Sequence, residues 1–180
     1  MQRAVLDTCV LFPNYLRDTL LRLAEAELYE PLWSSDILDE LTRNVALRIG
    51  DVRAKALVGA MACTFPDSLV SGYEALLPAI VNDPKDRHVL AAGVRGQAHA
   101  VVTSNVKDFP QESADPYGIQ VQRPDDFLLD LLDLAPAEVN TVLRVQAGSY
   151  RREPRDLHGL LDRLDAGGAP LFAAEFRRRI

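Results

Sequence analysis

Four acids stand out by where they fall: Asp7, Glu40, Asp86 and Asp108 lie in four separate stretches of the chain. Asp7 ends a short apolar run, Arg3-Ala4-Val5-Leu6, and so sits at the tip of an expected buried strand. Asp108 closes the polar turn that begins Thr103-Ser104-Asn105, after the apolar run AHAVVT. Asp86 stands at the start of an expected helix, and Glu40 shares a helical face with Asp36 and Asn44 at spacings of four. Carboxylates brought together repel one another and lose hydration, so such a set persists only with cationic compensation. Oxygen-only ligands suit hard ions, Mg²⁺ or Mn²⁺, rather than zinc. Such ions can activate a water and neutralise charge building on a phosphate, in an arrangement with about 3.5–4 Å between two ions.

The elements that must position these acids alternate strand and helix. After the first strand, Pro13 suits the first turn of a helix to about Glu27, with Leu16, Leu20, Leu23 and Ala24 on one face. A short strand spans Tyr29–Ser34, and Ser34, Ser35 or Asp36 can cap the helix that follows to about Leu47. Residues 51–63 read as another amphipathic helix, ended by Phe65-Pro66-Asp67. The loop Asn82-Asp83-Pro84-Lys85-Asp86 feeds a helix from Arg87 to about Arg95. Strands at Ala98–Thr103 and Ile119–Gln122 precede a helix opened by Pro124-Asp125-Asp126, whose acids suit its N-terminal dipole. Helices dominate beyond residue 136. The expected fold is a three-layer α/β/α sandwich around a central parallel sheet, with residues 1–134 as its domain and 135–180 as a helical extension. In such sheets ligands bind beyond the carboxyl ends of the strands, which is where Asp7 and the Thr103–Asp108 turn fall.

At 180 residues and 48% hydrophobic, the chain suits one packed domain. No apolar run approaches the roughly 20 residues of a membrane span. The acid at position 7 interrupts any signal-peptide core, so a cytoplasmic protein is expected. Two cysteines, Cys9 and Cys63, make neither a disulfide framework nor a zinc site. The net charge of -6 is uneven: residues 144–180 carry eight arginines against five acids, leaving -9 on residues 1–143. An acidic body that handles phosphodiesters requires metal cations in its acidic pocket or a basic partner surface, and the plainer reading of the charge is solubility.

The stretches VLDTCVLFP, ILDELTRN, DPKDRHVLAAG and VVTSNVKDFP resemble the four acidic motifs of PIN domains, and PDDFL resembles the helix opener after that family's last strand. The resemblance covers roughly residues 3–134, and the ordered pair DxRHVLAA and TSNxxDF is its specific part. It implies a Mg²⁺- or Mn²⁺-dependent nuclease, and most small bacterial members are VapC-type toxins that cleave RNA. The implied catalytic acids are Asp7, Glu40, Asp86 and Asp108. Asp7, Asp86 and Asp108 would hold metal directly, and Glu40 would do so directly or through water. In many members the fourth acid occupies the position of Asn105; Asp108 is the nearest carboxylate, with Asn105 as its companion and Thr103 and Ser104 as hydrogen-bond donors. The resemblance further implies products with 5′-phosphate and 3′-hydroxyl ends, neutralisation by a small antitoxin protein, and a homodimer. A catalytically inactive PIN scaffold that binds RNA or protein is the alternative that Asn105 keeps open.

Each residue has a plainer reading. Asp7 alone would be a turn cap, Asp86 an N-cap, Asp108 a turn former and Glu40 a solvated helix side chain. Lys85, Arg87, Arg151 and Arg152 are candidate contacts to an RNA backbone, and equally ordinary surface charges. Arg177-Arg178-Arg179 suit a solvated helix C-terminus. His88, in the first turn of its helix, reads as a packed or locally bonded side chain. Two rival enzyme classes fail on spacing. A haloacid-dehalogenase phosphatase needs D-x-D, but Cys9 fills the third place, and a receiver domain needs adjacent acids after its first strand.

Overall fold

The computed structural model describes residues 1–180. In chain order it runs β1 (Arg3–Leu6), α1 (Thr8–Leu11), α2 (Asn14–Glu25), β2 (Glu30–Ser34), α3 (Ser35–Ile49), α4 (Asp51–Thr64) and β3 (Leu69–Val70). There follow α5 (Arg87–Arg95), β4 (Ala100–Val102), α6 (Gln111–Ala114), β5 (Gln120–Gln122), α7 (Pro124–Leu134), α8 (Pro136–Ser149), α9 (Leu157–Ala166) and α10 (Pro170–Arg179).

All five strands are parallel, in the order β3-β2-β1-β4-β5. The central strands read as continuous apolar runs because helices cover both faces: Ala4, Val5, Leu6, Ala100, Val101 and Val102 are all fully buried. The result is the expected α/β/α sandwich with added C-terminal helices. β1 pairs with β2 on one side and β4 on the other, so the chain reverses its winding direction at the carboxyl ends of β1 and β4. Asp7 and Thr103 are the residues that leave those two strands.

Several details differ from the sequence reading. The helix expected from Pro13 begins at Asn14 and ends at Glu25, with Pro13 in extended backbone just before it. A separate helical turn, α1, occupies Thr8–Leu11 ahead of it. The buried Arg17 guanidinium holds this double start together, donating to the Leu11 carbonyl and to Asn14 Oδ1, each at 2.8 Å. The two-residue β3 and a 3₁₀ segment over Glu74–Ala79 went unread, being too short for any periodicity. Among the three candidate caps of α3, Ser34 does the work, its hydroxyl accepting from the Ile37 amide at 3.2 Å.

The C-terminal helices pack onto this frame through buried polar bonds as well as apolar contacts. Thr19 of α2 donates to Gln146 of α8 at 2.9 Å, and Asp125 of α7 accepts from the Phe172 amide of α10 at 2.8 Å. Leu160, Leu161, Phe172 and Phe176 belong to the same buried cluster as the sheet residues.

Candidate active site

Asp7 is buried, with its amide bonded to the Val102 carbonyl across the β1–β4 junction at 3.1 Å. Its Oδ2 accepts from Thr103 Oγ1 at 2.6 Å and from Cys9 Sγ at 3.0 Å. Thr103 is held in turn, accepting from the Asn105 amide at 3.0 Å, while Cys9 Sγ accepts from the Ser104 amide at 3.1 Å. Burial and the neighbouring Asp7 charge push the Cys9 thiol up to about 11, so it remains an S–H donor. Ser104 thus enters the site through its backbone. The contribution of Cys9 went unread, since it depends on α1 folding its side chain back onto the preceding residue but one.

Glu40 arrives from α3, half-buried, and its Oε2 accepts from Thr8 Oγ1 in the first turn of α1 at 3.1 Å. Asp86 occupies the N-cap position of α5 but makes no capping bond, so its carboxylate is not consumed by the helix end. The preceding loop is tied to the turn after β4. Asp108 O accepts from the Asp83 amide and from Asn82 Nδ2, each at 3.3 Å.

Asp86, Asp108, Glu40 and Asn105 line one cavity of about 490 Å³, together with Asp36, Asp39, Arg43, Lys85 and His88. No apolar side chain lines it. Asn105 and Asp108 both face this space. A larger cavity, about 660 Å³, lies by the starts of β1 and β2, where Arg3 and Glu30 already pair at 2.8 Å.

The five acids that line the cavity outnumber its two cations, Arg43 and Lys85. None of the ion pairs involves Asp7, Glu40, Asp86 or Asp108. Asp86 is pushed up to about 6, first by burial and then by the negative charges of Asp7, Asp108, Asp83 and Glu40. No three potential ligands converge into a ready-made coordination cage. What the residues offer is a set of hard oxygen donors, none of the four acids in an ion pair, around a polar cavity, which fits Mg²⁺ or Mn²⁺ better than zinc or a redox metal.

Of the expected backbone contacts, Lys85 lines the cavity, while Arg87 turns its Nε toward the Asn82 carbonyl at 3.4 Å. Arg151 and Arg152 are exposed on the loop between α8 and α9, outside the cavity lining. Arg177, Arg178 and Arg179 are engaged by Asp162, Glu175 and Asp133. Arg43 was missed: its position three residues after Glu40 gave no signal apart from the helix face. His88 Nδ1 is buried without a hydrogen-bond partner.

The PIN domain family model matches residues 3–107, and a model described as the VapC50 C-terminal domain matches residues 124–178. A curated relative from Mycobacterium tuberculosis, named "Putative ribonuclease VapC50", is 46% identical over 107 residues. That match covers 59% of this chain and 63% of the relative, less than two thirds of its length. No solved structure matches the chain significantly.

Proposed function

The chain belongs to the PIN-domain family, and from that premise we propose that it is a metal-dependent endoribonuclease of the VapC toxin type. The observation that carries this reading is a cavity lined by Glu40, Asp86 and Asp108, with Asp7 near enough to act on Asp86, in which none of the four acids forms an ion pair. Asp7, Asp86 and Asp108 would hold Mg²⁺ or Mn²⁺, with Glu40 binding directly or through water, and the ion would supply Lewis acidity and a nucleophile at neutral pH.

The chain's own residues then have distinct tasks. Thr103 and Cys9 fix the Asp7 carboxylate, and Thr8 fixes Glu40, so that the donors do not rearrange under mutual repulsion. Arg43 and Lys85, at the cavity wall, favour a phosphate entering an otherwise acidic space. Asn105 supplies an uncharged amide that can orient water or a ribose hydroxyl. In the hydrolysis proposed, water oxygen bonds to phosphorus and the P–O3′ bond breaks. The proton lost by water ends on the leaving 3′-oxygen, giving 5′-phosphate and 3′-hydroxyl products.

Residues 135–180 form, in this reading, a helical extension to a nuclease domain of residues 1–134. A small antitoxin would neutralise the enzyme by placing an arginine or lysine among the acids, where it would satisfy the charge that the metal otherwise compensates. A cytoplasmic homodimer completes the proposal. The test is cleavage of single-stranded RNA by wild type and Asp7→Asn, in Mg²⁺ and in EDTA, with analysis of the product ends. Cleavage by wild type in Mg²⁺ alone supports the reading. Cleavage surviving both substitution and chelation overturns it, and no cleavage under any condition favours an inactive scaffold.

A further inference from the structure

α3 carries a stripe at every fourth residue, Asp36, Glu40, Asn44 and Arg48, and the stripe meets α1 twice. Thr8, in the first turn of α1, bonds Glu40 at the acidic cavity. Phe12, directly after α1, lies under the Arg48 guanidinium, whose Cζ is 4.0 Å from the ring centroid. Eight residues of helix separate Glu40 from Arg48, about 12 Å along the axis. Arg17 fixes the turn that presents Phe12, since it also donates to the Phe12 carbonyl, at 3.3 Å.

A second cation–ring contact lies on Tyr15, three residues after Phe12. The Arg163 guanidinium lies 5.9 Å from the Tyr15 ring centroid, and Tyr150 meets the same ring edge-on at 5.5 Å. The Tyr15 hydroxyl donates to the Glu153 carbonyl at 3.4 Å, which docks the loop carrying Arg151 and Arg152 beside it. Neither Arg48 nor Arg163 takes part in an ion pair, in contrast to Arg177, Arg178 and Arg179. Two acids temper the loop, Glu153 and Asp156, of which Asp156 caps α9 by accepting from the Gly159 amide at 2.8 Å. A planar cation stacked on a ring offers two things at once: positive charge for a phosphate and a flat face for an unpaired base. An acidic peptide would use only the first.

We propose that the Phe12–Arg48 stack, together with Tyr15 and Arg163, is the platform that grips single-stranded RNA where it leaves the acidic cavity. The proposal deepens the ribonuclease reading and rests on it for the identity of the strand. Phosphates meet Arg48 and Arg163, and a base stacks on the exposed guanidinium face.

Fluorescence anisotropy of a labelled single-stranded RNA, in EDTA, tests this with the full-length protein. Arg48→Ala is expected to weaken binding by about tenfold and to reduce the slope of log affinity against log salt by about 0.7. Arg48→Lys restores the slope but leaves part of the affinity loss, because it keeps the charge without the plane. Phe12→Leu reproduces the Lys phenotype, and circular dichroism melting shows that the variants are folded. Binding by Arg48→Ala within about twofold of wild type overturns the proposal, as does full rescue by Arg48→Lys or an equal loss on duplex RNA. The binding assay does not depend on cleavage, so RNA gripped here but never cut retains the platform and refutes the nuclease.

Discussion

The Thr103 hydroxyl donates to the Asp7 carboxylate at 2.6 Å, joining residues 96 apart in sequence at the point where the sheet reverses its winding. Both are buried, and Cys9 bonds the same carboxylate oxygen. A charged acceptor deprived of one of two donors in a buried site loses on the order of 1–3 kcal/mol. Thr103→Val, close in shape, is therefore expected to lower stability by about that amount in chemical denaturation and to slow cleavage by about 10–100-fold. Unchanged stability together with unchanged rate would show that Asp7 needs no such anchor.

Asp86 makes the metal-free protein sensitive to pH in a defined direction. Its folded-state value, about 6, lies above the 3.8 of an ordinary aspartate, so the folded protein keeps a proton that the unfolded chain has lost. The contribution of this residue to stability therefore falls as pH rises from about 4 to about 6. In EDTA, the melting temperature of Asp86→Asn relative to wild type should climb across that window. A difference that is flat or shrinks with pH contradicts the burial and charge repulsion that raise Asp86. Metal requires the deprotonated carboxylate, so cation affinity rises over the same interval.

Asp108 and Asn105 line one cavity but differ in charge. If Asp108 is a charged donor to a catalytic cation, its loss would remove several kcal/mol of transition-state stabilisation, or about a hundredfold or more in rate. Asp108→Asn is expected to fall in that range, and Asn105→Ala at about tenfold, read as kcat on one RNA substrate. The reverse order would make Asn105 the ligand and Asp108 the companion.

Asp125 connects α7 to α10 rather than to the acidic cavity. Burial raises its ionisation above the usual range, while the Phe172 amide, at 2.8 Å, opposes that shift. Asp125→Ala should destabilise the chain by about 1–3 kcal/mol while leaving kcat of the folded fraction within about twofold. A selective loss of activity at wild-type stability would instead place the C-terminal helices in the reaction.

Much of this was legible in the sequence, for identifiable reasons. Asp7 ends an apolar run whose burial on both faces follows from its composition, and Ser34 caps α3 with a bond its side chain makes locally. Asp86 was placed correctly at a helix start, but its side chain does not cap, because the loop around Asp83 and the Asp108 turn set its surroundings instead. Cys9, Thr8 and Arg43 escaped notice since their partners arrive through tertiary packing, and no spacing encodes a thiol folding back on Asp7. The stack of Arg48 on Phe12 lies across 36 residues and was equally silent.

The central claim is that the gathered acids await a divalent cation, and calorimetric titration of Mn²⁺ into the protein at pH 7.5 tests it apart from any substrate. Wild type should bind Mn²⁺ saturably, and Asp86→Asn at least about tenfold more weakly. No binding by wild type, or equal binding by the two proteins, would contradict the account.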